Sequence, residues 1–408
     1  MTAVDKFNLI DSETFRYGHP FHLYDAMREE SPVYYHEGSD KQPGFWALTR
    51  HADILAVSRD AENFTATQGF RIPSDTLLAM DPEIMQALGR FLNALDEPEH
   101  FKYRSLVAPL FTPRAVAALE DRVRVSVDAL IAKLKECDVV DAVDDVAMDV
   151  PIKTICAIMG VPEEDEDKVF DFTNAIFGME DPEYAASIDA ANEQYHAVMD
   201  YGLHLAKKRR ESPKDDLISI IANGEVEGNR LTDLEVKSFF SNMIAAGNET
   251  TRGSIAGAIW GLGKYPEQRQ LLINDPSMIP GSLNELFRWY STTIQMSRTA
   301  IKDVDVGGTL VRKGERVAML YGAGNHDPNV FENPHELDLS RKNANKHVSF
   351  GHGIHHCLGF RLGTMQFRLV LEAFLKAFPN YTLNEQEPTF MIANLPLIMK
   401  SLSLNLNG

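Results

Sequence analysis

Apolar residues recur at three- and four-residue spacing through most of the chain, as they do in helices that bury one face. Phe21 to Glu30 reads as a short helix. Residues 114 to 222 read as successive helices, broken at Gly160-Val161-Pro162 and at Asp181-Pro182. Within them, Lys207-Lys208-Arg209-Arg210 reads as a solvated helix end. Thr232-Asp233-Leu234-Glu235 is a capping box. The helix it opens can continue to Gly263-Lys264-Tyr265-Pro266, a length of about 48 Å. A further helix carries Leu358, Leu362, Met365, Leu369, Leu371, Phe374 and Leu375 on its apolar stripe. Strands are fewer and short. Val33-Tyr34-Tyr35 pairs with Phe45-Trp46-Ala47-Leu48, Thr292 to Ala300 is extended, and Val304 to Leu320 forms small hairpins turning at Gly307-Gly308 and Lys313-Gly314. The predicted class is mainly α with small β-sheets.

One stretch keeps neither period. Between Phe64 and Leu95, Gly69, Pro73 and Pro82 lie among Phe70, Ile72, Leu77, Leu78, Met80, Met85 and Phe91. A long apolar loop in a compact protein is usually functional. The alternative is a loose surface loop.

The chemistry concentrates in Phe350-Gly351-His352-Gly353-Ile354-His355-His356-Cys357-Leu358-Gly359. The glycines permit a tight loop, and Cys357 sits where that loop enters a helix. Free amides and the positive end of the helix dipole favour a thiolate there, which suits a metal ligand. Two alternatives stay open at this point: an inert thiol, or zinc held by Cys357 with His347, His352, His355 and His356.

Three other groups stand out. The long helix has Ala245-Ala246-Gly247-Asn248-Glu249-Thr250-Thr251 at its middle, poor filler for a buried helix. A kink satisfied by hydroxyl back-bonding is the bland account of it. His100 and Arg104 share a helix face at i, i+4, and Glu285 and Arg288 can pair at i, i+3.

Together these motifs resemble the cytochrome P450 family. The loop meets every fixed position of its F-G-x-G-x-H-x-C-x-G pattern, through Phe350, Gly351, Gly353, His355, Cys357 and Gly359. The resemblance implies the P450 fold as one domain over residues 1–408, with haem b as cofactor and Cys357 as its axial thiolate. It also implies that His100, Arg104, Arg298 and His355 hold the haem propionates. Ala246 and Gly247 let a flat ligand approach the long helix, Thr250 hydrogen-bonds bound oxygen, and Glu249 relays protons. Glu285, Arg288 and Arg341 are structural by the same resemblance. Residues 170–185 correspond to a lid over the pocket, for which core packing is the alternative. The expected substrate-facing residues are Phe70, Ile72, Asn242, Ile294, Met296 and Ile392. Three departures from the family pattern are Thr292 for proline, His326 for arginine, and Gly363-Thr364 for the usual Ala-Arg, where Arg361 and Arg368 are the expected substitutes.

Composition narrows the rest. A net charge of −19 without a basic stripe disfavours nucleic acid. Three scattered cysteines fit a reducing compartment. Met1 to Ser12 is polar, with no apolar run for a signal peptide or membrane anchor, so the expected location is cytoplasmic. The expected activity is insertion of one oxygen atom from O2 into an apolar small molecule of terpenoid, sterol or fatty-acid type. Electrons are expected from a separate ferredoxin and an NAD(P)H-dependent ferredoxin reductase. A peroxygenase using H2O2, or a non-catalytic haem sensor or carrier, are the competing functions.

Overall fold

The long helix runs over Asp233–Lys264 in the computed structural model, which describes residues 7–384 and 387–407. Half of the polar Met1–Ser12 stretch therefore lies outside the described residues. The capping box is formed: the Thr232 hydroxyl accepts the Glu235 N–H at 3.3 Å, and the Glu235 carboxylate accepts the Thr232 N–H at 2.8 Å. This helix is buried over nearly its whole length, so its neighbours surround it. Helices Asp149–Met159, Ile188–Glu211, Ile279–Tyr290 and Phe360–Ala377 pack against it. Close approach depends on its glycines. A Cβ at Gly257 would lie 2.3 Å from the ring of Tyr290. One apolar cluster extends from Phe7 to Leu406 around this axis.

The expected class is found: mainly α with small sheets. Phe21–Glu30 is a helix, and Val33–His36 pairs antiparallel with Phe45–Leu48. The region 304–320 differs in part. Val304–Val306 and Thr309–Val311 do form a hairpin, but Arg316–Leu320 leaves it. That strand inserts between Phe45–Leu48 and Gln295–Ala300 in a five-stranded sheet. Val317, Ala318, Met319 and Leu320 are all fully buried, so they need neighbours on both sides. A second miss is Val139–Asp141, a strand inside the segment read as helical. Its partner Ser403–Asn405 is more than 250 residues away in sequence, beyond any local signal.

The basic run 207–210 also differs from expectation. Arg209 is buried, donates to Asp216 at 2.6 Å and to the Gly160 carbonyl at 2.8 Å, and so ties two helix ends together. Glu285, Arg288 and Arg341 are joined in the core. Arg288 meets Glu285 through two bonds of 2.7 Å, and Arg341 reaches Glu285 at 3.1 Å. His326 is buried, with Nδ1 against the Gly322 carbonyl at 3.0 Å and its ring on Phe21 at 4.1 Å. No helix among the described residues is long and apolar enough to cross a membrane.

Three buried histidines make the fold acid-sensitive. Burial pushes His19 down to about 4 and His347 down to about 3, and holds His326 well below its usual value. Each stays neutral when folded and binds a proton when unfolded once the pH is below about 6.5. Unfolding therefore takes up protons between about pH 6.5 and 4, and stability falls as pH falls. We expect a melting temperature that drops steeply across that window. His326→Phe should make the fall shallower, by about 1.4 kcal/mol per pH unit. Equal slopes for the two proteins would overturn this account.

Candidate haem-thiolate site

Cys357 lies in a loop that closes on the helix Phe360–Ala377. Gly351 and Gly353 hold left-handed backbone, with φ of 64° and 69°. Gly353 also has no room for a side chain, since a Cβ would stand 2.5 Å from the Ser58 carbonyl. Ser58 clamps the loop further, donating to the His352 carbonyl and accepting its N–H. The Cys357 N–H donates to Phe350 O at 2.9 Å, which closes the turn. Burial pushes the Cys357 thiol up. The N–H groups of Gly359 and Phe360, with the Arg104 guanidinium, pull it the other way. A bound metal cation would tip that balance to the thiolate. The neighbouring histidines do not converge on the sulfur: among the described residues no three His, Cys, Asp or Glu side chains are arranged to hold a metal, so the zinc alternative has no geometry.

A cleft with about 1530 Å³ of empty space, part of it open to solvent, separates this loop from the middle of the long helix. One edge is strongly cationic. Arg298 is buried, and among the described residues its guanidinium has one hydrogen bond, to the adjacent Ser297 carbonyl at 2.7 Å. Arg104 donates to the His356 carbonyl at 2.8 Å. Neither is in an ion pair among the described residues. His100 and His355 stand with rings 4.7 Å apart, and His100 Nε2 and His355 Nδ1 are buried without partners. Burial, helped by Arg298, His100 and Arg104, pushes His355 down to about 2. His100 Nδ1 meets the Glu97 carboxylate at 3.2 Å, but Arg104 and Arg298 face each other across this edge with no carboxylate paired to either among the described residues.

The opposite wall is the long helix. Ala246, Gly247 and Thr250 line the cleft, and Ala246 is exposed to it. Gly247 also makes space for Ile155, whose Cδ1 would be 2.7 Å from a Cβ there. The Thr250 hydroxyl donates to Ala246 O at 2.9 Å, so the back-bonding foreseen for this helix coexists with exposure to the cleft. Glu249 faces elsewhere. It is fully buried, takes the Arg252 Nε–H on Oε1 at 2.9 Å, and leaves Oε2 without a partner. Burial pushes its carboxyl up while Arg252 opposes the shift. A direct opening of Glu249 to solvent is therefore absent.

Of the residues expected to face substrate, Asn242 and Met296 line the cleft. Phe70 sits one layer back, packed with Phe91 in the same small cluster as Met296. Ile72 and Ile294 are fully buried behind the wall, and the Ile392 N–H is bound to Asp181 at 3.1 Å. Leu92, Asn93, Ile155, Met243, Thr292 and Thr293 line the cleft and were not foreseen. Met243 adjoins Asn242, and Leu92 and Asn93 belong to the aperiodic apolar loop, so part of the signal was there. Thr292 replaces a proline of the pattern and pairs with the Ser254 hydroxyl at 3.0 Å.

Comparison with known proteins decides the family. The Cytochrome P450 family model matches residues 273–406. A methyl-branched lipid omega-hydroxylase of Mycobacterium tuberculosis is 33% identical over 89% of this chain and 86% of its own. The chain belongs to the cytochrome P450 family. The linalool 8-monooxygenase of Pseudomonas putida is 32% identical over 86% of this chain and 87% of its own. A Mycobacterium marinum cytochrome P450 in complex with pseudoionone has the same fold, with a TM-score of 0.86 at 34% identity over 94% of each chain. This P450 is accordingly a monooxygenase with a haem-thiolate cofactor.

The residues present in this P450 fit that group. Two propionates would supply the anions that Arg104 and Arg298 lack and partners for the free ring nitrogens of His100 and His355, and Cys357 offers sulfur at the start of a helix. Charge-assisted hydrogen bonds of this kind contribute about 1.5–3 kcal/mol each. Arg298→Ala and Arg104→Ala should therefore release haem about 10- to 100-fold faster, measured as transfer to an excess of apomyoglobin. Unchanged rates in both variants would remove these residues from the cofactor site.

Proposed function

We propose that this P450 uses haem b to insert one oxygen atom from O2 into an apolar small molecule of lipid, terpenoid or sterol type. The observation that carries the reading is the cleft itself. Cys357 stands on one wall and Thr250 on the other, the uncompensated cations lie at one edge, and the remaining wall is mostly apolar. The names of the relatives, a methyl-branched lipid hydroxylase and a linalool monooxygenase, support the substrate class. When bound, the haem supplies the binding and activation of O2, and thiolate ligation favours cleavage of the O–O bond.

The protein's own residues do the rest. Cys357 would hold the haem iron through its sulfur, with Phe350 and Gly359 shaping its loop. His100, Arg104, Arg298 and His355 would hold its propionates. Ala246 and Gly247 keep the helix face low. Thr250 holds a proton at its hydroxyl, and accepts from water while that proton is shared with Ala246 O. Glu249 is the acid of the pair, and it serves only after leaving Arg252. Asn242 and Met296 face the substrate, and Phe70, Ile72, Ile294 and Ile392 support the wall from behind. Two electrons arrive from a separate ferredoxin and its NAD(P)H-dependent reductase, and two protons from solvent. One oxygen atom then enters the substrate and the other leaves as water. Arg368 is engaged with Glu120 and Glu372, at 3.0 and 3.2 Å, so Arg361 is the basic group left for electron-partner contact beyond the Cys357 loop.

Two measurements test the reading. The reduced protein with CO should show the red-shifted Soret band of thiolate haem, and Cys357→His should lack it. A wild-type protein that holds haem without that band overturns the ligand assignment. Thr250→Ala should still bind substrate and consume NADH with native-type electron partners. Its product yield per NADH should fall severalfold, with the difference recovered as H2O2. If rate and yield both match wild type, Thr250 has no part in proton delivery and the peroxide-driven reaction becomes the better account.

A further inference from the structure

Asn242, Ala246 and Thr250 are spaced one turn apart on the long helix, and all three line the cleft. Eight residues of helix put Asn242 about 12 Å from Thr250 along the axis. Ala246 offers only a methyl group between them. The later helix hydroxyls that line the cleft are already engaged, Thr250 with Ala246 O, Thr251 with Gly247 O and Ser254 with Thr292. Asn242 differs. It is 5% exposed, and its amide has no hydrogen-bond partner among the described residues. Unlike the amide oxygens of Asn248 and Asn394, which are sealed in without a partner, the Asn242 amide keeps contact with the cleft and can bond a group that enters it.

A second amide accompanies it. Asn93 also lines the cleft without a partner among the described residues. Ser238, one turn before Asn242, donates to Ala87 O at 2.8 Å, which brings the stretch leading to Asn93 to this end of the helix. The arginines that border the cleft, Arg104 and Arg298, both belong to the cationic edge beside His355.

We propose that Asn242, assisted by Asn93, is the specificity-determining anchor of this cleft for an uncharged carbonyl or hydroxyl oxygen on an otherwise apolar substrate. The anchor fixes which carbon lies beside Thr250, about 12 Å away along the helix. An amide suits either oxygen: its N–H donates to a carbonyl, and its oxygen accepts from a hydroxyl. It does not suit a carboxylate, because the arginines that line the cleft belong to the cationic edge and burying an unpaired ion costs more than one hydrogen bond returns. The proposal rests on the monooxygenase reading and adds the chemical feature that the substrate must carry.

The test is a titration of the haem-loaded protein with a matched set: dodecan-2-one, dodecan-1-ol, dodecane and dodecanoate. Binding is read by the Soret shift and checked by equilibrium dialysis. Wild type should bind the ketone and the alcohol about tenfold more tightly than the other two. Asn242→Leu should bring the ketone to the level of dodecane and scatter the position of oxidation along the chain. Asn242→Asp should lose the ketone but keep the alcohol, an asymmetry that a merely structural role would not produce. Should Asn242→Leu lose haem, Asn93→Ala carries the same comparison. The anchor is wrong if wild type holds ketone and dodecane within twofold, or if the variants leave the ratio unmoved. If none of the four binds while the CO band is intact, the apolar-substrate reading falls, and the anchor with it. A missing CO band would instead strike at the haem ligand alone.

Discussion

The site depends on one buried charge. Arg288 is fully inaccessible, and beyond Glu285 it donates to the carbonyls of Asn325, Pro334 and Glu336. Those carbonyls belong to chain that would otherwise have no regular partner. From Asn325 the order passes directly to the cysteine loop. Its side chain accepts the Val348 N–H at 2.7 Å and donates to Ser349 at 2.8 Å, and Ser349 in turn bonds Phe287 O. Phe350 follows, and its carbonyl takes the Cys357 N–H. Removing one partner of such a pair costs about 3–5 kcal/mol, because the other charge stays buried. Glu285 and Arg288 thus act on the sulfur without touching it.

The cationic edge shows the opposite arrangement. Arg288 is fully compensated inside the protein, whereas Arg298 is buried with little but its neighbour's carbonyl. A fold tolerates uncompensated burial at a place where a ligand completes it. The two partnerless imidazole nitrogens of His100 and His355 belong to the same edge. An anion that binds here would therefore also stabilise the folded chain, by relieving the repulsion between the two arginines.

The long helix combines two conflicting demands. Most of its length must be small and apolar to sit inside the core, and Gly257 against Tyr290 shows how closely neighbours press. Its middle must also offer polar groups to the cleft. The sequence Asn242 to Thr250 satisfies both by placing polar side chains one face at a time. Glu249 falls off that face by one residue, and Arg252, one turn on, takes its charge.

What the sequence determined by itself was whatever rests on local spacing. The capping box, the long helix, the Cys357 loop and the Glu285–Arg288 pair all lie within a few residues of their partners, so period and motif were enough to read them. Ala246 and Thr250 share a cleft wall because they lie one helical turn apart. The tertiary structure alone decided everything set by partners far away in the chain. Val139–Asp141 became a strand because Ser403–Asn405 reached it, and Arg209 was drawn inside by Asp216 and Gly160. Phe70, Ile72, Ile294 and Ile392 share the hydrophobicity of true lining residues, but the packing of separate segments put them a layer behind. Hydrophobicity states that a side chain will be buried; only the assembled fold determines which buried side chains border empty space.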